Sequence, residues 1–90
     1  MNLRGTASRY EWDRTKAASN LARHGVAFDA VLGFDWSSAI EAEDRRYDYG
    51  ETRMQALGKI AGRYHVLVYA WRNDRIRVIS LRKANRREIP

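Results

Sequence analysis

Three strand-length runs separated by two-residue turn signals fill the second half of this chain and fix most of what it can fold into. Arg53 to Ile60, Tyr64 to Arg72 and Arg75 to Lys83 are rich in β-favouring residues, with Ala61-Gly62 and Asn73-Asp74 between them. Asparagine and aspartate tolerate the positive φ that a tight hairpin turn demands. An antiparallel meander is expected, preceded by a strand at Ala39 to Asp44 and a polar connection at Arg45 to Glu51.

Setting Arg72 opposite Arg75 fixes a register. Period-two alternation then groups Tyr64, Val66, Val68 and Ala70 with Arg77, Ile79, Leu81 and Lys83 on a face with a basic rim. The opposite face receives His65, Leu67, Tyr69 and Trp71 with Ile76, Val78, Ser80 and Arg82. It is more continuously apolar near the turn, so it is the expected core side. If Ala61-Gly62 is also a two-residue turn, Arg53, Gln55 and Lys59 join the rimmed face while Met54 and Ala56 face the core.

Upstream, Tyr10 to Gly25 reads as a helix, with Asp13 able to cap its first turn and Gly25 supplying a left-handed exit. Ala17, Leu21 and His24 form a stripe at helical spacing that is expected to pack on the sheet. Phe28 to Phe34 repeats that pattern briefly and predicts a second, short helix, and Asn85 is a good cap for a last turn. The expected fold class is α+β, with N-terminal helices packed on a mainly antiparallel four-stranded sheet. Ninety residues suit one core, so residues 1–90 are read as a single domain with a flexible lead at 1–8.

With no cysteine, neither disulfides nor thiolate metal sites contribute. No stretch reaches the roughly 20 apolar residues of a membrane span, and Met1 to Ser8 lacks the apolar run of a signal peptide. A cytoplasmic protein without membrane association is expected. Charge is distributed unevenly: the chain totals +6, and residues 72–87 carry seven cations against Asp74 alone. Residues 29–51 are acidic, so the molecule is electrically two-sided.

A basic strand pair with aromatic neighbours meets two needs of RNA binding, since guanidinium and ammonium groups neutralise phosphates and aromatic rings stack on unpaired bases. Lys59, Tyr64, Arg82, Arg86 and Arg87 are the expected RNA-binding residues. His24 and His65 are the only histidines, far apart and without acidic groups at ligand spacing, so no metal or other cofactor is expected. RNA can be cut without metal if a base takes the 2′-hydroxyl proton while cations stabilise the pentacoordinate phosphate. Arg53, Arg77 and Lys83 are candidates for that clamp, and His65 or Tyr64 for proton transfer.

Several segments together resemble the BrnT-type toxins of bacterial type II toxin–antitoxin modules. They are Tyr10-Glu-Trp-Asp13 with Lys16 and Asn20, Arg23-His-Gly-Val-Ala-Phe28, Asp48-Tyr-Gly50 with Arg53, Ala-Leu-Gly58, and Arg77 to Ala84 with Arg86-Arg-Glu88. They occur in order and cover nearly everything after Ser8. The resemblance implies a RelE-like fold, a ribonuclease activity that stops translation, and a cognate antitoxin with a ribbon-helix-helix DNA-binding region. It further implies that operator DNA is bound only through the toxin–antitoxin complex. Trp12, Asp13, His24, Gly25 and Phe28 belong to the matching motifs, but a capped helix and its exit turn account for them as scaffold. The tail ends at Pro90, where relatives continue into a longer helix, and weaker activity is the expectation from that difference. The alternative to an endoribonuclease is a non-catalytic RNA- or antitoxin-binding module acting by occupancy.

Overall fold

A computed structural model describes residues 9–90. The expected flexible lead, residues 1–8, lies outside the described residues. Both hairpin turns hold two residues in the left-handed region, Ala61 and Gly62 at φ 50° and 80°, then Asn73 and Asp74 at 49° and 68°. This backbone twist matches that of the flanking strands. The turns join β3 (Arg53–Ile60), β4 (Arg63–Arg72) and β5 (Arg75–Lys83) into the expected meander, and β2 (Ile40–Asp44) pairs antiparallel with β3.

The expectation of N-terminal helices on a four-stranded antiparallel, RelE-like sheet is corrected in two respects. Among the described residues the sheet has five strands in the order β1-β5-β4-β3-β2, and β1 (Tyr10–Glu11) runs parallel to β5. Two residues are too few to show an alternation, so this strand exists only because Ile76 and Arg77 are there to pair with it. The same residues contain one α-helix, α1 (Arg14–His24). The second expected helix is instead a 3-10 segment, Phe28–Gly33, closed by Ala30 N–H to Ala27 O at 3.1 Å and Phe34 N–H to Val31 O at 2.9 Å. A segment this short makes too few i to i+4 bonds to offset helix nucleation.

Helix α1 begins later than the expected Tyr10, because Tyr10–Glu11 is drawn into β1, but its caps are the two residues the sequence suggested. Asp13 accepts from Lys16 N–H at 3.0 Å, and Gly25, at φ 71°, donates its N–H to Leu21 O. Of the expected stripe, Ala17 packs against the core and His24 is half-buried, but Leu21 is not covered. Leu21 is half exposed, while the polar Asn20 is buried at the edge of β5.

Phe28, Val31 and Phe34 pack against Ala56, Leu67, Tyr69, Ile76, Val78 and Leu81 to form the core. Each large apolar side chain there contributes roughly 1.5–3 kcal/mol by leaving water. Gly58 permits this packing, because a Cβ at that position would lie 2.5 Å from Phe34 Cζ. An edge-to-face series Phe34, Trp36, Tyr69, Trp71 continues the core toward the Asn73-Asp74 turn, with centroid separations of 4.8, 5.4 and 6.2 Å. Tyr69 donates its hydroxyl to Glu41, and burial, followed by that carboxylate, raises its pKa well above the ordinary phenol value.

A second correction concerns the faces of β5. Arg72↔Arg75 through Tyr69↔Val78 follow the expected register, but Val68 pairs with Ser80, leaving Ile79 as an extra residue in a β-bulge. Beyond it every side chain changes face. Leu81 and Lys83 join the core side, and Ser80 and Arg82 join the side of Val66 and Val68. Among the described residues no helix is long and apolar enough to cross a membrane.

Candidate functional site

The bulge brings Arg82 onto the same sheet face as Arg53. On that face Arg53 pairs across to Asp44, Gln55 lies beside Val68, and Val66 lies beside Arg82. The connection following β2 folds over them, and a cleft of about 260 Å³ results. Its floor is Gln55, Val68 and Ile79, and its polar wall is His24, Asp44, Arg46, Tyr49, Arg53, Ser80 and Arg82. A neighbouring groove of about 170 Å³, lined by Lys16, Ser19, Asn20 and Arg23, shares His24, Ile79 and Ser80 with it. Together they form one basic track from the outside of α1 across the bulge to the sheet.

Arg46 and Arg82 are each held by a two-bond contact to a carboxylate, and Arg53 is held differently. Arg46 grips Asp44 through two bonds, Nε to Oδ1 at 2.9 Å and Nη2 to Oδ2 at 2.8 Å, and Tyr49 donates its hydroxyl to the same carboxylate. The Asp44 side chain is 2% exposed, and the Arg46 hydrogen bonds hold its pKa down at about 2. Arg82 makes the corresponding two-bond contact to Glu88, both at 2.8 Å, and that contact depresses Glu88 to about 2. Glu88 reaches Arg82 because Asn85 starts a 3-10 turn, Arg86–Glu88, in which cap and glutamate exchange hydrogen bonds in a capping box.

Arg53 is the least satisfied. Its guanidinium lies 4.0 Å above the Tyr49 ring, and its Nε is 3.5 Å from Glu51 Oε2. The geometry is an ion pair but not a hydrogen bond, so the buried Nε–H has no acceptor. The rest of the guanidinium, on a side chain 22% exposed, is what can meet an incoming anionic oxygen.

The other sequence candidates separate by face. Arg77 lies on the cleft face but toward β1, with Nη1 3.1 Å from Glu11 Oε2. Lys59 and Tyr64 are cross-strand neighbours at the far end of the same face, the ammonium 5.2 Å from the ring centroid. Arg86 and Arg87 are exposed on the tail turn. His65 and Lys83 pair with each other on the opposite face, where His65 is buried and its Nδ1 donates to Arg63 O at 2.7 Å.

The structure thus groups Arg53 with Arg82, leaves Arg77, Lys59 and Tyr64 flanking, and separates His65 and Lys83 from them. His24, Arg46, Tyr49 and Ser80 enter the site although sequence reasoning gave them no role there. A signal existed for His24, since it follows the buried Asn20 by four residues and so shares its helix face. Tyr49 stands in the matching Asp48-Tyr-Gly50 segment, whereas nothing pointed to Arg46 in its polar loop.

Over residues 12–88 the sequence matches the family described as ribonuclease toxin, BrnT, of type II toxin-antitoxin system. A comparison with curated proteins finds no match.

Proposed function

The chain belongs to the BrnT family of ribonuclease toxins of type II toxin–antitoxin systems, which implies an antitoxin partner, and on that footing we propose that its cleft cleaves RNA. The observation that carries this reading is the convergence of Arg46, Arg53 and Arg82, from a loop and two strands, on one cleft. Cations fixed in this way stabilise the charge that develops on phosphate oxygens in the transition state. Arg77, Lys59, Tyr64, Arg86 and Arg87 extend the surface along which a strand can run, by phosphate contact and by stacking.

Cleavage by the RNA's own 2′-hydroxyl needs a base, an acid and fixed cations, which side chains supply, so activity is expected to be metal-independent and to persist in EDTA. Loss of messenger integrity would stop translation. The antitoxin, expected to carry a ribbon-helix-helix DNA-binding region, would silence the toxin by covering the basic face, and operator DNA would be bound through that complex. His65 and Lys83, on the other face, have no part in this scheme.

One observation favours an occupancy module instead: Arg46 and Arg82 already bind carboxylates, as they would if the face served to hold an acidic peptide. Incubating antitoxin-free protein with single-stranded RNA in EDTA separates the readings. Cleavage by the wild type, lost in an Arg53→Ala, Arg82→Ala double variant that still folds, supports the enzyme. Intact RNA with retained, saturable binding supports the module.

A further inference from the structure

Resting on the ribonuclease reading above, we propose that His24 is the general base that takes the 2′-hydroxyl proton. The assignment follows from what else lines the cleft. A base must hold a lone pair at neutral pH, yet arginine stays protonated and a phenol or a serine hydroxyl gives up its proton only far above neutrality. Asp44 is ionised, but both of its oxygens are taken by the Arg46 guanidinium, with Tyr49 added on one of them. Glu88 is likewise clasped by Arg82. The remaining titratable side chain is His24, half-buried at the last turn of α1 and shared by the cleft and the adjoining groove. Imidazole is the side chain suited to exchanging a proton near neutrality.

The two histidines contrast sharply. The His65 ring is buried on the far face and committed to the Arg63 carbonyl, whereas the His24 ring has no hydrogen-bond partner among the described residues. Its position follows from the packing around it. Asn20 pins the preceding helical turn to β5 through Leu81, Gly25 ends the helix immediately after His24, and the Ile79 bulge presents Ser80 beside it. Facing it from the cleft are Asp44, Arg46, Tyr49, Arg53 and Arg82, while Lys16 and Arg23 of its own helix line the adjoining groove.

In the proposed step His24 removes the 2′-hydroxyl proton as O2′ forms a bond to phosphorus. The P–O5′ bond breaks, and the departing 5′ oxygen takes a proton from solvent. The products are a 2′,3′-cyclic phosphate and a 5′-hydroxyl, with no change in oxidation state. Arg46, Arg53 and Arg82 hold the non-bridging oxygens.

The test compares wild type, His24→Gln, His24→Ala and Arg53→Ala on an end-labelled single-stranded RNA of mixed sequence, with thermal melts to check folding and anisotropy to measure binding. Loss of the base is expected to lower kcat by about 10²- to 10⁴-fold with binding changed less than about threefold. The rise of rate with pH on the acidic side should vanish in His24→Gln, and added imidazole should restore cleavage by His24→Ala. The proposal is overturned if either folded variant cleaves at near the wild-type rate, or if activity falls while the acidic limb persists and imidazole restores nothing. An Arg53→Ala defect accompanied by full His24→Ala activity removes His24 alone from the mechanism. Wild-type protein that leaves the RNA intact overturns both the assignment and the ribonuclease reading.

Discussion

The carboxamide of Asn20 completes the open edge of β5 at Leu81. Its Nδ2 donates to Leu81 O at 2.7 Å and its Oδ1 accepts from Leu81 N–H at 3.3 Å, so one side chain takes the place of a neighbouring strand residue. The second Nδ2 proton goes to Val26 O at 3.0 Å. Asn20→Ala would leave these buried groups unpaired and is expected to cost about 2–3 kcal/mol. Asn20→Asp would set a carboxylate against two carbonyls. Chemical denaturation should therefore find it weaker than Asn20→Ala at pH 7, with part of the difference recovered near pH 4.

The bulge at Ile79 is testable through stability. Leu81 is fully buried only because the extra residue turns it to the core, so Leu81→Ala should cost about 2–4 kcal/mol. Ile79, half-buried on the bulge, should cost roughly half as much when cut to alanine. Urea titrations that find similar costs at the two positions would argue for the unbulged register, in which both share one face.

The Arg82–Glu88 contact carries a defined pH signature. Glu88 is depressed from its ordinary 4.5 to about 2, so its contribution is present above pH 4.5 and is lost as pH falls toward 2. Both side chains are 30% exposed, and solvent screening keeps the expected effect near 1 kcal/mol. Thermal melts of wild type and Glu88→Gln should differ by a few degrees at pH 7 and converge near pH 2.

Phosphate binding by Arg82 is measurable from salt dependence. Removing one cation that neutralises a phosphate of single-stranded RNA lowers the slope of log affinity against log salt by about 0.7. Arg82→Ala should show that reduction, whereas Lys83→Ala, on the opposite face, should leave the slope unchanged.

Gly58→Ala addresses the core directly. The added methyl meets the ring of Phe34 on three of its atoms, at 2.5 to 3.0 Å, and an overpacked core of this kind is destabilised by about 1–3 kcal/mol. Pairing it with Phe34→Leu should recover part of that stability in the same denaturation assay.

Local patterns in the sequence were sufficient to specify the helix caps at Asp13 and Gly25, the two hairpin turns, the register from Arg72↔Arg75 to Tyr69↔Val78, and the concentration of positive charge. Each depends on residues within a few positions of one another, so each is written in a short stretch of chain. The tertiary structure decided the rest. The pairing of β1 with Ile76 and Arg77, and the burial of Asn20 against Leu81, join residues more than 60 positions apart. Alternation cannot signal where an extra residue will enter a strand, because the bulge is set by how Leu81 reaches the core and how Asn20 meets its backbone. That single residue reassigns Arg82 to the cleft and Lys83 away from it. The sequence alone determined that a basic meander would form, and three-dimensional packing determined which of its cations share a site with His24.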